Sequence, residues 1–282
     1  MSIFLDSELS DQERQREAAK FVVIPMPLER TVSYGAGTEA GPGAIIEASN
    51  ELERLTIGRE PALEGIVTEE AVSCDGPLSD VMERLAARTA LAVEEGKIPV
   101  TLGGEHSLTY GAVTGVSRAL GKKVGIVQID AHADLRIAYQ GEKHSHASVM
   151  HLLCEEGHKL AQYGVRALCQ QEVDLREKYN VSFRDAEELV MENITSAVLP
   201  NDFPDELYIS FDVDGLDPSI MPATGTPVPG GLGYYQSLSI IASVLRGRKI
   251  VGMDIVELAP DEKSQAWDFT AAQIAYRMMA LA

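Results

Sequence analysis

Val124-Gly125-Ile126-Val127-Gln128-Ile129-Asp130-Ala131-His132-Ala133-Asp134 is the stretch on which the fold turns. Its opening, Val124-Gly125-Ile126-Val127, is continuously apolar, as expected of a strand buried on both faces. Metal-capable side chains follow at once. Working outward, short apolar runs recur at Phe21–Ile24, Gly65–Val72, Pro99–Leu102, Gly164–Leu168, Leu207–Phe211 and Ile250–Val256, with a weaker one at Val181–Phe183. Helix-like stretches lie between them at Ser79–Glu94, Leu108–Leu120, Asp185–Val198, Tyr235–Arg246 and Ala266–Met279. Strand and helix in alternation predict an α/β chain, a three-layer αβα sandwich with a mainly parallel central sheet. Connections are short, without linker or repeat, so residues 1–282 read as a single domain.

Open parallel sheets bind ligands beyond the carboxyl ends of their strands. Asp130, His132 and Asp134 stand there two residues apart, on one face if the strand geometry continues. Asp212-Val213-Asp214 follows Leu207–Phe211 with the same spacing, and Gly103-Gly104-Glu105-His106-Ser107 follows Pro99–Leu102, its glycines allowing a sharp turn that presents His106. Each motif alone reads equally well as a solvated aspartate or a locally bonded histidine. Together, at equivalent strand ends, they read as one site. Two histidines and four aspartates exceed the three or four protein ligands of a catalytic zinc. They suit two divalent ions with bridging carboxylates. Carboxylate-rich, thiolate-free ligation favours Mn²⁺ over zinc or copper. Such a pair can hold a hydroxide at neutral pH, which makes the site hydrolytic.

Composition narrows the partners. The 43 acidic residues against 24 Lys and Arg leave a formal charge of −19. That balance argues against nucleic acid, which needs clustered basic residues. A negative field favours cationic small molecules, although acidic surface also simply confers solubility. The start, Met1-Ser2-Ile3-Phe4-Leu5-Asp6 running into Asp11-Gln12-Glu13-Arg14, has neither the basic start nor the long apolar core of a signal peptide. No apolar run approaches the roughly 20 residues that span a bilayer. Cys74, Cys154 and Cys169 form no CxxC pair and read as reduced thiols of a cytosolic protein. Gly35–Gly41 and Gly115–Lys122 lack the spacing of phosphate loops. Asp217-Pro218 reads as turn chemistry, and Tyr34, Tyr139 and Trp267 as packing.

The three motifs resemble the hallmarks of the arginase/agmatinase (ureohydrolase) family, with agmatinases the nearest likeness. The similarity continues through Pro222-Ala223-Thr224-Gly225-Thr226-Pro227, Pro229-Gly230-Gly231, Gly252-Met253-Asp254-Ile255-Val256-Glu257 and Ser33-Tyr34-Gly35-Ala36-Gly37-Thr38-Glu39-Ala40-Gly41-Pro42, in the family's order. The resemblance implies one Mn²⁺ on His106, Asp130, Asp134 and Asp212 and a second on His132, Asp130, Asp212 and Asp214, with Asp130 and Asp212 bridging. It also implies that Glu257 pairs with a substrate guanidinium and that His146, in Ser145-His146-Ala147-Ser148, carries protons to the leaving amine. His144 beside it reads as a solvated loop residue. A homo-oligomer, trimer or hexamer, follows from the family alone.

The resemblance defines the reaction more closely than the substrate. The loop Leu135-Arg136-Ile137-Ala138-Tyr139-Gln140-Gly141-Glu142-Lys143 lacks the asparagine with which arginine-specific members hold the α-carboxylate, and resembles agmatinases. Agmatine, giving urea and putrescine, is the expected substrate. Aminopropylagmatine hydrolysis would share nearly every motif. Arg136 or Lys143 gripping a carboxylate would favour guanidinobutyrate, guanidinopropionate or formimidoylglutamate. A non-catalytic metal-binding relative would lack a ligand, Glu257 or His146, and a single-zinc amide hydrolase would not need six ligands.

Overall fold

The computed structural model describes every residue except Met1 and Glu262, so the first residue of the N-terminal stretch lies outside it. Eight strands among the described residues form one sheet: β1 (Phe21–Met26), β2 (Ile66–Thr68), β3 (Ile98–Gly103), β4 (Gly125–Ile129), β5 (Lys159–Tyr163), β6 (Ser182–Arg184), β7 (Glu206–Asp212) and β8 (Lys249–Val256). Their order is β2-β1-β3-β8-β7-β4-β5-β6, and every pairing is parallel. Parallel pairing needs a crossover between successive strands, and helices supply most of them. They are α1 (Gly41–Ser49), α2 (Leu78–Glu94), α3 (Thr109–Leu120), α4 (Val149–Glu155), α5 (Gln170–Lys178), α6 (Ala186–Met191), α7 (Tyr234–Val244) and α8 (Ala266–Leu281).

Strand periodicity assigns the two cores. Phe21 and Val23 of β1, Val127 and Ile129 of β4 and Ile209 and Phe211 of β7 pack with α1, α7 and α8 on one face. Val22 and Ile24 of β1, Ile126 of β4 and Tyr208 of β7 pack with α2, α3 and α4 on the other. The layered α/β expectation holds. No helix among the described residues is long and apolar enough to cross a membrane.

Several expected elements shift. The strand expected at Gly164–Leu168 is a loop, and the strand runs just before it, at Lys159–Tyr163. Gln162 interrupts that run's apolar character. In the fold its amide is satisfied by Gln128 Oε1 and the Ala133 carbonyl, and Gly164 then turns away at φ 97°. The expected Gly65–Val72 strand is regular only over Ile66–Thr68, because as an edge strand it pairs with β1 alone. The helix expected over Asp185–Val198 stops at Met191, just before Asn193 enters the left-handed region at φ 52°. Helices α1, α4 and α5 were not foreseen. Gly41-Pro42-Gly43 reads as a turn, yet proline suits a first helical turn and a Cβ on Gly41 would stand 2.6 Å from the Leu258 carbonyl oxygen.

Helices α2 and α3 meet through glycine. A Cβ on Gly115 would lie 2.1 Å from both the Ala86 carbonyl oxygen and Thr89 Oγ1. Alanine is the better helix former by about 1 kcal/mol, but here it drives one helix off the other. Gly115→Ala should therefore destabilise the protein by about 1–3 kcal/mol, read as a lower denaturant midpoint; a raised midpoint would refute the close packing.

Candidate metal centre and its cavity

Strands β3, β8, β7 and β4 are neighbours, so the turns after β3, β7 and β4 open on one rim. There the predicted ligands come together. His106 Nδ1 lies 2.9 Å from Asp134 Oδ2, 3.1 Å from Asp130 Oδ2 and 3.4 Å from Asp212 Oδ2. His132 Nδ1 lies 3.0 Å from Asp214 Oδ2 and 3.6 Å from Asp130 Oδ1. Two overlapping sets of converging donors result, His106–Asp130–Asp212 and Asp130–His132–Asp214, with Asp130 in both.

The residues fit a pair of divalent cations by two tests. The first is hydrogen-bond bookkeeping. Ser210 Oγ donates its one hydrogen to Asp254 Oδ1 at 2.8 Å, so it accepts at its 2.8 Å contact with His106 Nε2. In the neutral ring that leaves Nδ1 without a hydrogen, facing three carboxylate oxygens; burial opposes charge on the ring, yet Asp130, Asp134 and Asp212 raise its pKa well above the usual range, so positive charge is wanted at this point. An imidazole nitrogen held among carboxylate oxygens, its other nitrogen bonded behind it, is an arrangement that suits a cation. The second test is charge. Burial and the nearby Asp130 push the Asp134 carboxyl up to about 7, and burial with the charges of Asp214 and Asp130 pushes Asp212 well up. Burial opposes charge on His132, yet Asp214 and Asp130 hold it at about 12. Four aspartates gathered this closely call for positive charge, which two M²⁺ ions would supply.

Glu257 follows β8 directly at φ 66° and its Oε1 accepts the backbone N–H of His106 at 2.6 Å. Burial raises its carboxyl to about 8, against the opposing effect of that hydrogen bond. Asp134 is likewise left-handed at φ 52°. Such backbones cost on the order of 1–3 kcal/mol each and persist where the surroundings over-determine them.

Above the cluster is a throat of about 20 Å³ walled by His106, His132, His146, Asp214 and Glu257. It is roofed where Gly35 meets Gly225: a Cβ on Gly35 would stand 2.8 Å from Gly225 Cα. Beside it a chamber of about 410 Å³ is lined by Arg136, Tyr139, His146, Leu168 and Glu172. Glu172 is buried, its oxygens taking the N–H groups of Leu135 and Cys169. The Arg136 guanidinium sits 5.3 Å from the Tyr139 ring, whereas Lys143 lines neither space.

Two expectations need correction. Tyr34 is 89 % exposed at the throat's rim and Tyr139 walls the chamber, so neither is core packing, because the loops carrying them pass over the strand ends. His144 is not simply solvated. It packs edge-on against Tyr110, 5.2 Å between centroids, and with it lines a separate recess rather than the cavity of His146. Trp267 packs against the core as expected.

Sequence reading assigned no role to a row of polar residues beneath the site. Thr101, Asp254, Ser210, Gln128 and Gln162 stand in register across β3, β8, β7, β4 and β5. Gln128 bonds Asp130 Oδ2 at 2.6 Å. Two signals were available: Ser210 and Gln128 each precede an expected ligand by two residues, hence share its strand face.

Ser210→Ala should free the His106 ring and weaken divalent-metal affinity roughly ten- to a hundredfold, measured by chelator competition. Unchanged affinity would deny Ser210 that orienting role.

The arginase family profile matches residues 19–281. The N(1)-aminopropylagmatine ureohydrolase of Thermus thermophilus is 38 % identical over 96 % of this chain and 93 % of its own length. Its counterpart in Synechocystis is 35 % identical over 93 % and 88 %. The agmatine ureohydrolase of Thermoplasma volcanium superposes with a TM-score of 0.83 at 30 % identity, covering 98 % of this chain and 96 % of that one. The chain belongs to the arginase family and is a hydrolase of the ureohydrolase kind.

Proposed function

We propose that the protein hydrolyses a guanidine carrying an aliphatic amine tail, agmatine being the simplest, to urea and the freed amine. The observation that carries this is the cavity itself: two overlapping donor sets at its floor, the carboxylate of Glu257 beside them, and an acidic residue, Glu172, in the wall of the adjoining chamber. On this reading His106, Asp130, Asp134 and Asp212 would hold one Mn²⁺, and His132, Asp130, Asp212 and Asp214 the other. The oxygen-rich donor set supports manganese. When bound, such a pair would acidify a water at neutral pH, so that a nearby base can take its proton, and would stabilise the charge that develops as the water adds to the guanidinium carbon.

The chain's own groups do the rest. Glu257, raised by burial, returns to its carboxylate form beside a guanidinium and orients it through charged hydrogen bonds. The narrow throat excludes bulk water from the planar group, while the wider chamber leaves room for the tail. His146 lines both spaces and delivers a proton to the departing nitrogen. A longer substrate, agmatine extended by an aminopropyl arm, is the second reading. The chamber's volume and the names of the Thermus and Synechocystis relatives favour it.

The 282 residues are read as one domain acting in the cytosol. Free cysteines at 74, 154 and 169 support that compartment. Exposed apolar side chains such as Met191 and Val198 support a homo-oligomer, a trimer or hexamer.

Urea release with Mn²⁺ present should be fastest with agmatine or its aminopropyl derivative and slow with guanidinobutyrate and arginine. A preference for guanidinobutyrate would transfer the tail-binding role to Arg136 and overturn the proposal. Glu257→Gln should lower kcat/KM about ten- to a hundredfold, the worth of a charged hydrogen bond of roughly 1.5–3 kcal/mol. Two Mn²⁺ per chain should remain by elemental analysis; a normal kcat/KM would remove Glu257 from the substrate site.

A further inference from the structure

The proton-carrying His146 is backed by a side chain from far away in sequence. Gly104 makes this possible. A Cβ there would stand 2.0 Å from the Leu28 carbonyl oxygen, so only glycine lets the segment after β1 lie against the turn after β3. The Gly104 N–H donates to the Met26 carbonyl and the Glu105 N–H to the Leu28 carbonyl. Thr31 is thereby brought between Glu105 and His146.

Donors and acceptors can be counted through this trio. Glu105 is fully buried, and its carboxylate takes four donors: the N–H groups of Arg30 and Thr31 on Oε2, and the hydroxyls of Thr31 and Ser107 on Oε1. A threonine hydroxyl has one hydrogen, and Thr31 spends it on Glu105 at 2.9 Å. Its lone pairs then face His146, accepting the backbone N–H at 3.0 Å and meeting ring Nδ1 at 3.1 Å. Lone pair against lone pair would repel, so Nδ1 carries the hydrogen. The neutral ring's other nitrogen, Nε2, is bare.

We propose that Thr31, anchored by Glu105, is a positioning residue that holds His146 as its Nδ1–H tautomer, so that Nε2 meets the reaction as a proton acceptor. This rests on the reading of His146 as the proton carrier. The consequence is an order of events. As water adds to the guanidinium carbon, Nε2 takes the proton that water gives up. When the carbon–nitrogen bond to the tail breaks, the same proton passes from Nε2 to the departing nitrogen; the carbon is left as protonated urea, whose excess proton the more basic freed amine takes up, and the ring ends as it began. A ring held with hydrogen on Nε2 would have to turn over or exchange with solvent first. Tyr139, edge-on to the ring at 5.6 Å between centroids, limits that turning from the other side.

The test is a mutant cycle on the Mn²⁺-loaded full chain. Thr31→Val keeps the shape and removes the hydroxyl; it should lower kcat at least about tenfold, part of the 10²–10⁴ that a positioned acid–base group contributes, with KM and metal content near wild type. Thr31→Ser should restore most of the rate. The double variant Thr31→Val/His146→Asn should be no slower than His146→Asn alone, since both remove one function. A normal kcat in Thr31→Val, no rescue by serine, or additive losses in the double variant would each overturn the proposal. Full activity in His146→Asn would instead sink the reading of His146 beneath it. Should Thr31→Val fold poorly, the wild-type chain loaded with a diamagnetic divalent ion and ¹⁵N-labelled histidine decides by NMR. A pyrrole-type Nδ1 on His146, assigned by its loss in His146→Asn, is expected; an Nε2–H ring would refute it.

Discussion

Everything near the active rim answers to one constraint: four aspartates, Asp130, Asp134, Asp212 and Asp214, are all buried within reach of two imidazoles. Carboxylates so placed repel one another and lose their water, and a protein sustains that only by supplying fixed partners and positive charge. The partners are specific. Asp214 Oδ1 takes the N–H of Ala131, Asp212 Oδ1 that of Asp214, and Asp130 Oδ1 that of His132. The first of these joins the ends of β4 and β7 through a side chain that converges at the rim, and the other two hold the turns after those strands in place.

Beneath the carboxylates lies the polar row of the sheet. Burying Gln128, Gln162, Ser210 and Asp254 in a layered core would be costly were each not satisfied by its neighbour in register. Gln162 bonds Gln128, Arg176 Nε bonds Gln162 Oε1 at 2.8 Å, and Asp254 collects the hydroxyls of Thr109, Tyr208 and Ser210. A one-residue slip of any middle strand would turn these groups into the opposite apolar core. The row that backs His106 and Asp130 thus also holds the register of the strands that carry it.

Glycine determines how closely the loops can cover this rim. Gly104 admits the segment bearing Thr31, Gly35 and Gly225 meet above the throat, and a Cβ on Gly215 would stand 2.8 Å from the Asp130 nitrogen. Arg166 ties the far side, donating to the carbonyls of Asp214, Leu216 and Val228. A narrow throat suits a planar cationic group, and the chamber alongside leaves tail length to be decided by loop side chains rather than by the scaffold.

Local pattern was enough for the class of fold, since apolar runs of strand length ending in Asp and His need no knowledge of the rest of the chain. It was also enough to single out His106, Asp130, His132, Asp134, Asp212 and Asp214 as side chains that meet, because each stands at the carboxyl end of an apolar strand run or in the turn just after it, where open parallel sheets gather ligands. Strand β5 escaped, because Lys159 and Gln162 look like loop residues until Gln128 and Arg176 stand beside them. Helix α1 escaped because Gly41-Pro42-Gly43 has turn composition, and the need for glycine at 41 shows only once the Leu258 carbonyl lies against it. The adjacency of β3, β8, β7 and β4, the pairing of Thr31 with His146 across more than a hundred residues, and the joining of throat to chamber belong to tertiary structure alone. They depend on which strands become neighbours, a nonlocal choice made by matching buried polar groups and close backbone approaches, and no window of sequence contains both partners.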